Sequence, residues 1–470
     1  MSSGSRTARH DAAVDLARFV AALRFDDLTP AVVTAAKKAV LDHFAVALAG
    51  GTAPGCGELL GVVRGWGGKA ESTIIGQDLR VPSVWAALVN AMMAHSWDYD
   101  DTFEVVANRA MHPGVSVIPA CLAAAERRGG VSGKEFLAAV VAGVDVVCRL
   151  ALATRLPDEL RFWVYPTLFG YFGGAAGAGK LLGLGEAGML DAFGVAYSQA
   201  SGNAQSVLDG ALTKRLQSAS SASGGLLSAV LAEAGITGST NTFEGAAGFF
   251  RMYLHDRYDR ATIVKDLGSK FAISDLSFKP YPCCRYTHSA VDAALQVAAD
   301  EDLDPAQVEA VTVFVAPAQN GVCQPLDVKR RPRSVVDAQF SIPYTVAVAL
   351  CRRGVVIEDF SPAAIGDSRI LSLAQKVTPV VNETLGAGSD FPGLVEVKLR
   401  DGGVVRSKLV RYPSGHPGNP MSMEEIAEKF RRCAARAVRP LRGERVETVI
   451  RLAARLDEMT DVAEVVGLVA

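Results

Sequence analysis

Residues 169–185 read FGYFGGAAGAGKLLGLG, a run in which glycine and alanine separate large apolar side chains. The same character continues to residue 235 through SQASGNAQ (198–205) and SASSASGGLLSAVLAEAG (218–235). Small side chains at helical spacing allow helices to approach closely, whereas a flexible linker does not carry so many Leu, Val and Phe residues. The stretch therefore predicts a tightly packed, buried helical bundle.

A near-match to a nucleotide-binding motif lies inside this stretch. GAAGAGKL (174–181) almost fits the phosphate loop G-x-x-x-x-G-K-[ST]. The last position is Leu181, so the hydroxyl that would bind magnesium is missing, and no β-branched strand precedes the motif. A dinucleotide-binding fingerprint also lacks its βαβ context. Helix packing is the better interpretation of these glycines.

Helical patterns precede the bundle, and strand patterns follow it. Apolar residues recur at helical spacing in 12–50, 82–96, 114–128 and 132–154. VEAVTVFVAP (308–317) alternates and is β-branched, and LVEVKLRDGGVVRSKLV (394–410) is typical of a hairpin that turns at Asp401-Gly402. Helical stretches at 336–353 and 369–377 lie between these strands, and amphipathic helices return after 420.

The predicted fold class is therefore mainly α. A large, discontinuous all-helical domain is expected over residues 1–275 and 411–470, and a smaller α+β lid domain over residues 276–410.

Composition excludes several classes of partner. Among the 470 residues, 48 Lys and Arg face 50 Asp and Glu, a net charge of -2, so neither nucleic acid nor a membrane is expected as a partner. The eight cysteines are scattered without a C-x-x-C pair, as is typical of reduced thiols in a cytoplasmic protein. No secretory signal is visible at the N-terminus, and the longest apolar run, FLAAVVAGVDVV (136–147), is interrupted by Asp145 and too short to span a bilayer.

An acidic cluster, HSWDYDDTF (95–103), follows an apolar helical pattern. His95 and Asp98 are three residues apart, so on a continuous helix they would share one face and offer two metal ligands. The simpler alternative is a solvated helix end. Since the chain has seven His and no H-x-x-x-H, we predict no metal site here.

Three basic segments complete the set of candidates. His112 stands just before a helical pattern, where it is a candidate general base or a plain loop residue. Lys214 lies in DGALTKRLQ (209–217), within a stretch of small residues. SFKPYPCCRYTH (277–288) carries Lys279, Arg285 and His288. Such a cluster suits a substrate with several carboxylates, and the alternative is a structural loop.

In order along the chain, these segments resemble the MmgE/PrpD family, which includes 2-methylcitrate dehydratase, cis-aconitate decarboxylase and iminodisuccinate epimerase. The similarity covers about residues 14–430 and rests on FDDLTPAVVTAAKKAVLDHFAVALAG, NAMMAHSWDYDDTF, HPGVSVIPACLAAAE, SGKEFLAAVVAGVDVVCRL, TKRLQ, SFKPYPCCRYTHSAVDAAL, AQFSIPYTVAVAL and GHPGNPMS. The resemblance implies a helical domain and an α+β lid with a cleft between them, usually in a homodimer, and no organic cofactor.

The family's motif residues fall on Asp98, Thr102, His112, Lys214 and Tyr344. At three positions where cis-aconitate decarboxylase-like members often carry His, this chain has Tyr165, Cys284 and Gln217. These differences argue against decarboxylation of cis-aconitate itself.

The resemblance predicts a cofactor-independent lyase, with a hydro-lyase favoured, that acts on a small di- or tricarboxylate through a carbanion next to a carboxylate. His112 would move the proton on carbon, and Tyr165 or Tyr344 would act as the acid. Asp98 would orient His112 or Lys214. The substrate would be bound by Thr102, Lys279, Cys284, Arg285 and His288, with Lys214 also stabilising the enolate. The alternatives are an epimerase of an iminodisuccinate-like dicarboxylate and an inactive carboxylate-binding homologue.

Overall fold

A computed structural model describes residues 10–104, 110–160, 162–300, 302–385 and 391–470. The chain forms two compact units: Met1–Ser96, Met111–Asp275 and Ile426–Ala470 make the first, and Trp97–Ala110 with Leu276–Glu425 make the second. The predicted mainly α fold with a smaller α+β part is confirmed. The predicted domain bounds share the change at residue 275, whereas the structure groups 97–110 and 411–425 with the second unit.

The first unit is built almost entirely of helices. It also holds a two-stranded antiparallel hairpin, Ser72–Ile74 with Leu79–Val81. Its α-helices are Ala12–Ala22, Pro30–Gly50, Cys56–Trp66, Ser83–His95, Pro113–Arg128, Gly133–Ala153, Tyr165–Leu181, Glu186–Gln199, Gln205–Leu208, Thr213–Glu233, Phe249–Leu254, Arg260–Val264, most of Met423–Ala434, Glu444–Ala454 and Ala463–Leu468.

Three of these helices pack against one another at their glycines, namely Pro113–Arg128, Tyr165–Leu181 and Thr213–Glu233. A Cβ atom added to Gly174 would lie 3.3 Å from the Cα of Gly225, and one added to Gly177 would lie 2.4 Å from the Sγ of Cys121. Four residues before Gly174, a Cβ at Gly170 would lie 2.5 Å from the hydroxyls of both Ser116 and Ser221.

The residue numbers of all three helices rise together along these contacts. The helices therefore run parallel, and their N-terminal ends lie at the same end of the bundle. The close packing predicted from the small residues thus places three helix N-termini, and the candidate residues on them, at one end of the bundle.

Helix Gly133–Ala153 is almost entirely buried in the first unit. Ser132 and Glu135 make a capping box at its start, in which each side chain accepts a hydrogen bond from the other residue's N–H. The helix is long and apolar enough to cross a membrane, which corrects the estimate from the sequence, but 94% of its most apolar window is buried within the protein. Asp145, which interrupts the apolar run, forms a buried ion pair with Arg149 one turn later.

The second unit contains a four-stranded sheet. Val308–Val315 lies between Val377–Val381, which is parallel to it, and Gly393–Leu399, which is antiparallel; Val404–Arg406 follows at the other edge. The hairpin at 394–410 was predicted, but the edge strand at 377–381 was missed, because Pro379 interrupts its short VTPVV sequence. The α-helices are His288–Asp300, Leu326–Arg330, Val335–Gln339, Ile342–Arg352, Pro362–Ile365 and Ser368–Ala374.

A second, very short ladder in this unit positions the acidic cluster. Thr102–Phe103 pairs antiparallel with Leu276–Ser277, and Thr102 lies directly opposite Ser277. The ladder brings the segment 98–104 alongside the segment 276–288. The pairing of His95 with Asp98 as metal ligands on one helix fails on this geometry, because the helix ends at His95 and Asp98 has a left-handed φ of 51°. His95 and Asp98 therefore do not share a helical face.

Candidate functional site

Candidate residues form two clusters, one within each unit. The first, termed here the helix-end cluster, comprises His112, Tyr165, Thr167, Lys214 and Ser218, all at the N-terminal ends of the three parallel helices. His112 is the N-cap residue of Pro113–Arg128, Tyr165 is the first residue of Tyr165–Leu181, and Lys214 is the second residue of Thr213–Glu233. Helix N-termini carry unpaired N–H groups and a partial positive charge, so this end of the bundle favours an anion.

The His112 ring lies edge-on to the ring of His95, with 5.0 Å between the centroids and an interplanar angle of 66°. His95 is buried at the last position of helix Ser83–His95. The imidazole of His112 is half-buried.

Tyr165 is 4% exposed, and its ring is stacked on Phe169 at 5.6 Å with 3° between the planes. Stacking on the same helix fixes the direction of the phenol. Gln217, a position where the resemblance led us to expect His, has partners of its own. Its amide accepts from the N–H of Asn203 at 2.6 Å and donates to Ser206 Oγ at 2.5 Å. Gln217 therefore tethers the loop before the Lys214 helix.

Two hydroxyls of the helix-end cluster were not predicted. Thr167 and Ser218 are each 1% exposed, and within the described part of the chain neither hydroxyl has a hydrogen-bond partner. Thr167 lies three residues before Gly170, and Ser218 lies three residues before Ser221, so both occupy the packed faces of their helices at the same level. Buried hydroxyls normally have partners, and those that lack one in the protein are candidates for contact with a ligand.

The second cluster, termed the cation cluster, comprises Asp98, Glu104, Lys279, Arg285 and His288 in the second unit. The Lys279 ammonium is fully buried and donates to the main-chain carbonyl of Asp98 at 2.8 Å and to its Oδ2 at 3.1 Å. Burial alone would lower the pKa of Lys279, but the charges of Asp98, Asp100 and Cys284 outweigh it and raise that pKa. Asp98, predicted to orient His112 or Lys214, is thus engaged by Lys279.

Arg285 is the best-defined member of the cation cluster. Its Nε donates to Glu104 Oε1 at 2.7 Å, and its Nη1 donates to the carbonyl of Ser414 at 2.9 Å and contacts His288 Nδ1 at 3.2 Å. Nη2 is buried and has no hydrogen-bond partner among the residues that the structure describes. The guanidinium therefore keeps the donors of Nη2 without an acceptor in the described part of the chain, which is compatible with the predicted role in holding a carboxylate.

His288 differs from its predicted role. Its Nε2 lies 3.1 Å from the carbonyl of Cys283, and its Nδ1 faces Arg285, so both ring nitrogens have partners inside the protein. Burial lowers the pKa of His288 well below its usual value, and the charges of Arg285 and Lys279 lower it further. We therefore remove His288 from the substrate-binding residues, since a substrate would have to displace one of these contacts.

The remaining predicted residues fall into different environments. Thr102 is fully buried, and its hydroxyl has no hydrogen-bond partner among the described residues, which suits the predicted contact with substrate. Cys284 is half-buried and is held by a hydrogen bond from its main-chain N–H to Gln339 at 2.9 Å. Tyr344 is fully buried, and its hydroxyl donates to the main-chain carbonyl of Asp359 at 2.6 Å, so the structure makes it a core residue and does not favour its role as an acid.

Comparisons with known proteins place the chain in a family. The model of the MmgE/PrpD N-terminal domain matches residues 14–261, and that of the MmgE/PrpD C-terminal domain matches residues 281–455. The chain therefore belongs to the MmgE/PrpD family.

Several relatives are similar over nearly their whole length. Cis-aconitate decarboxylase of Aspergillus terreus is 28% identical over 99% of this chain and 97% of its own. The human protein of that name is 28% identical over 93% of this chain and 90% of its own. The cis-aconitate decarboxylase-like protein oryM of Aspergillus oryzae is 26% identical over 97% of this chain and 96% of its own.

Proposed function

We propose that the protein is an enzyme, a lyase that acts on a small di- or tricarboxylate without an organic cofactor. The observation that carries this proposal is the helix-end cluster, in which three parallel helix N-termini bring together a histidine, a tyrosine and a lysine. The names of the relatives support the same reaction class, since each is a decarboxylase of a tricarboxylate or resembles one.

The chemistry of these groups fits a carbanion mechanism. His112 removes the proton from a carbon next to a carboxylate, and the electron pair is delocalised into that carboxylate as an enolate. Lys214 and the helix N-termini stabilise the developing negative charge. The pair then expels hydroxide from the neighbouring carbon, and Tyr165 supplies the proton that makes the leaving group water.

The same groups also suit loss of carbon dioxide. In that reaction the carbon–carboxylate bond breaks, its electron pair remains on carbon, and an acid of the cluster protonates that carbon. We favour dehydration, because Tyr165 and Gln217 stand where decarboxylase-like members often carry His, and because Gln217 is committed to the loop that it tethers.

Mass spectrometry of purified protein incubated with citrate, 2-methylcitrate and cis-aconitate tests the proposal. A hydro-lyase changes the mass of its substrate by one water, lost from an alcohol or gained by an alkene, and a decarboxylase removes one carbon dioxide. Proton NMR in deuterium oxide detects an epimerase by exchange without change of skeleton. His112→Gln and Lys214→Ala are expected to lower kcat/KM by about 100-fold to 1000-fold. Arg369→Gln, an 86% exposed side chain outside both clusters, is the control and should retain activity.

Two results would contradict the proposal. One is isotope exchange without any new product, which indicates an epimerase. The other is full turnover by His112→Gln in a protein whose circular dichroism matches that of the wild type, which removes His112 from the chemistry.

A further inference from the structure

The N–H donors of Arg285 fall into two groups, those with an acceptor in the protein and those without one among the described residues. A guanidinium has five N–H donors. One donor on Nε is used by Glu104, and the two on Nη1 face Ser414 and His288. Both donors on Nη2 are left without an acceptor in the described part of the chain, although the side chain is only 2% exposed.

Leaving a buried donor without an acceptor destabilises a protein, and more so when the donor carries a charge. A guanidinium that only linked Glu104 to Ser414 would gain nothing from burying Nη2 without an acceptor. The planar group is fixed once its Nε and Nη1 sides are held, so these contacts also determine where Nη2 points.

The proton on His288 follows from the same contacts. Arg285 Nη1 can only donate, so His288 Nδ1 must accept, and the ring proton resides on Nε2, which donates to the carbonyl of Cys283. The charges that act on this imidazole are those of Arg285 and Lys279, both cationic, and of the Asp98 carboxylate. The ring of Tyr281 also lies against it, with 5.2 Å between the centroids. Only the neutral imidazole has an unprotonated Nδ1 that can accept the hydrogen bond from Nη1 of Arg285.

We propose that His288, together with Glu104, is a positioning residue that aims Nη2 of Arg285 at a carboxylate ligand. This inference rests on the proposed function, since the ligand that it assigns to Arg285 is a carboxylate. Because Glu104 pairs with the guanidinium, Nη2 supplies hydrogen bonds in fixed directions more than it supplies net charge. Its two N–H bonds diverge, so each reaches a separate acceptor oxygen.

Calorimetric titration with tricarballylate, an unreactive tricarboxylate, measures this role directly. Arg285→Gln should raise the Kd for tricarballylate about 100-fold. His288→Leu, which removes both ring nitrogens, should raise it about tenfold. His288→Gln keeps an acceptor and a donor and should restore most of the affinity. His10→Leu changes a histidine whose side chain is 54% exposed and serves as the matched control.

The double variant separates positioning from general stability. If His288 acts through Arg285, His288→Leu costs no further affinity in the Arg285→Gln background. An equal loss in both backgrounds, or unchanged affinity in His288→Leu, overturns the positioning role while the proposed function stands. A wild-type protein that binds neither tricarballylate nor citrate overturns both.

Discussion

At the residue scale, burial decides the charge of His288 and predicts a pH dependence of stability. Its pKa in the folded protein lies well below 6.5, because burial and two neighbouring cations disfavour the imidazolium. In the unfolded chain the pKa returns to about 6.5. Below about pH 6.5 the unfolded state therefore binds a proton that the folded state does not, and stability falls as pH falls.

The measurement is urea unfolding of the wild type and of His288→Gln at about pH 7.5 and 5.5. The wild type should lose more stability between these two values, by at most about 1.4 kcal/mol per pH unit below the unfolded pKa. Carboxylates that titrate in both proteins cancel in the comparison. Identical losses would show that His288 takes up the same number of protons in both states.

The sequence indicated which side chains are candidates for the site far better than it indicated which residues they form ion pairs with. Lys279 and Arg285 were identified from their cationic side chains alone. The contact of Asp98 with Lys279 was not predicted, because Lys279, which engages both the carbonyl and the carboxylate of Asp98, is 181 residues away. Glu104 was missed for the same reason, since its partner Arg285 is also 181 residues distant.

At the element scale, the glycines of the parallel helices are a steric requirement. A Cβ atom on Gly225 would lie 2.8 Å from main-chain atoms of Tyr171, Gly174 and Ala175, which cannot move aside as a flexible side chain can. Gly225→Ala is therefore expected to destabilise the protein by about 1 to 3 kcal/mol or more through overpacking.

Gly61→Ala is the matched substitution in helix Cys56–Trp66. A Cβ there meets nothing within 4 Å, so alanine should stabilise by about 0.5 to 1 kcal/mol through its higher helix propensity. Urea unfolding of both variants tests the pair. If Gly225→Ala were as stable as the wild type, the close parallel packing that places the helix-end cluster would be contradicted.

Helix positions followed from periodicity, but helix directions did not. The pattern at 114–128 and the small residues of 168–235 predicted packed helices, and these formed. Their parallel alignment emerges only from the contacts of Gly170, Gly174 and Gly177, which periodicity does not specify. The predicted helix at 336–353 is divided at Phe340, because Ser341 caps a new helix that carries Pro343 in its first turn.

At the scale of the whole molecule, the first unit is closed by the C-terminal segment of the chain. Lys429 Nζ lies 2.6 Å from Asp42 Oδ1, and both side chains are buried. A main-chain hydrogen bond also joins the C-terminal segment to the earlier part of the unit, since the N–H of Gly76 donates to the carbonyl of Val469 at 2.6 Å. Amphipathic helices after 420 indicated this return. The grouping of 97–110 with the second unit was not predicted, because the ladder of Thr102–Phe103 with Leu276–Ser277 and the ion pairs of Asp98 and Glu104 join residues far apart in the chain.

This closure predicts that the two units open separately. Lys429→Met leaves the Asp42 carboxylate buried beside an apolar side chain, which should cost about 3 to 5 kcal/mol. Lys398→Met, which removes a partner of an exposed pair with Glu309, should cost under about 1 kcal/mol. Hydrogen exchange of Lys429→Met should accelerate in helices Pro30–Gly50 and Met423–Ala434 and remain as in the wild type in strands Val308–Val315 and Gly393–Leu399. Faster exchange in those strands to the same extent would instead mean that the whole chain unfolds as one cooperative body, with the C-terminal helices stabilising both units.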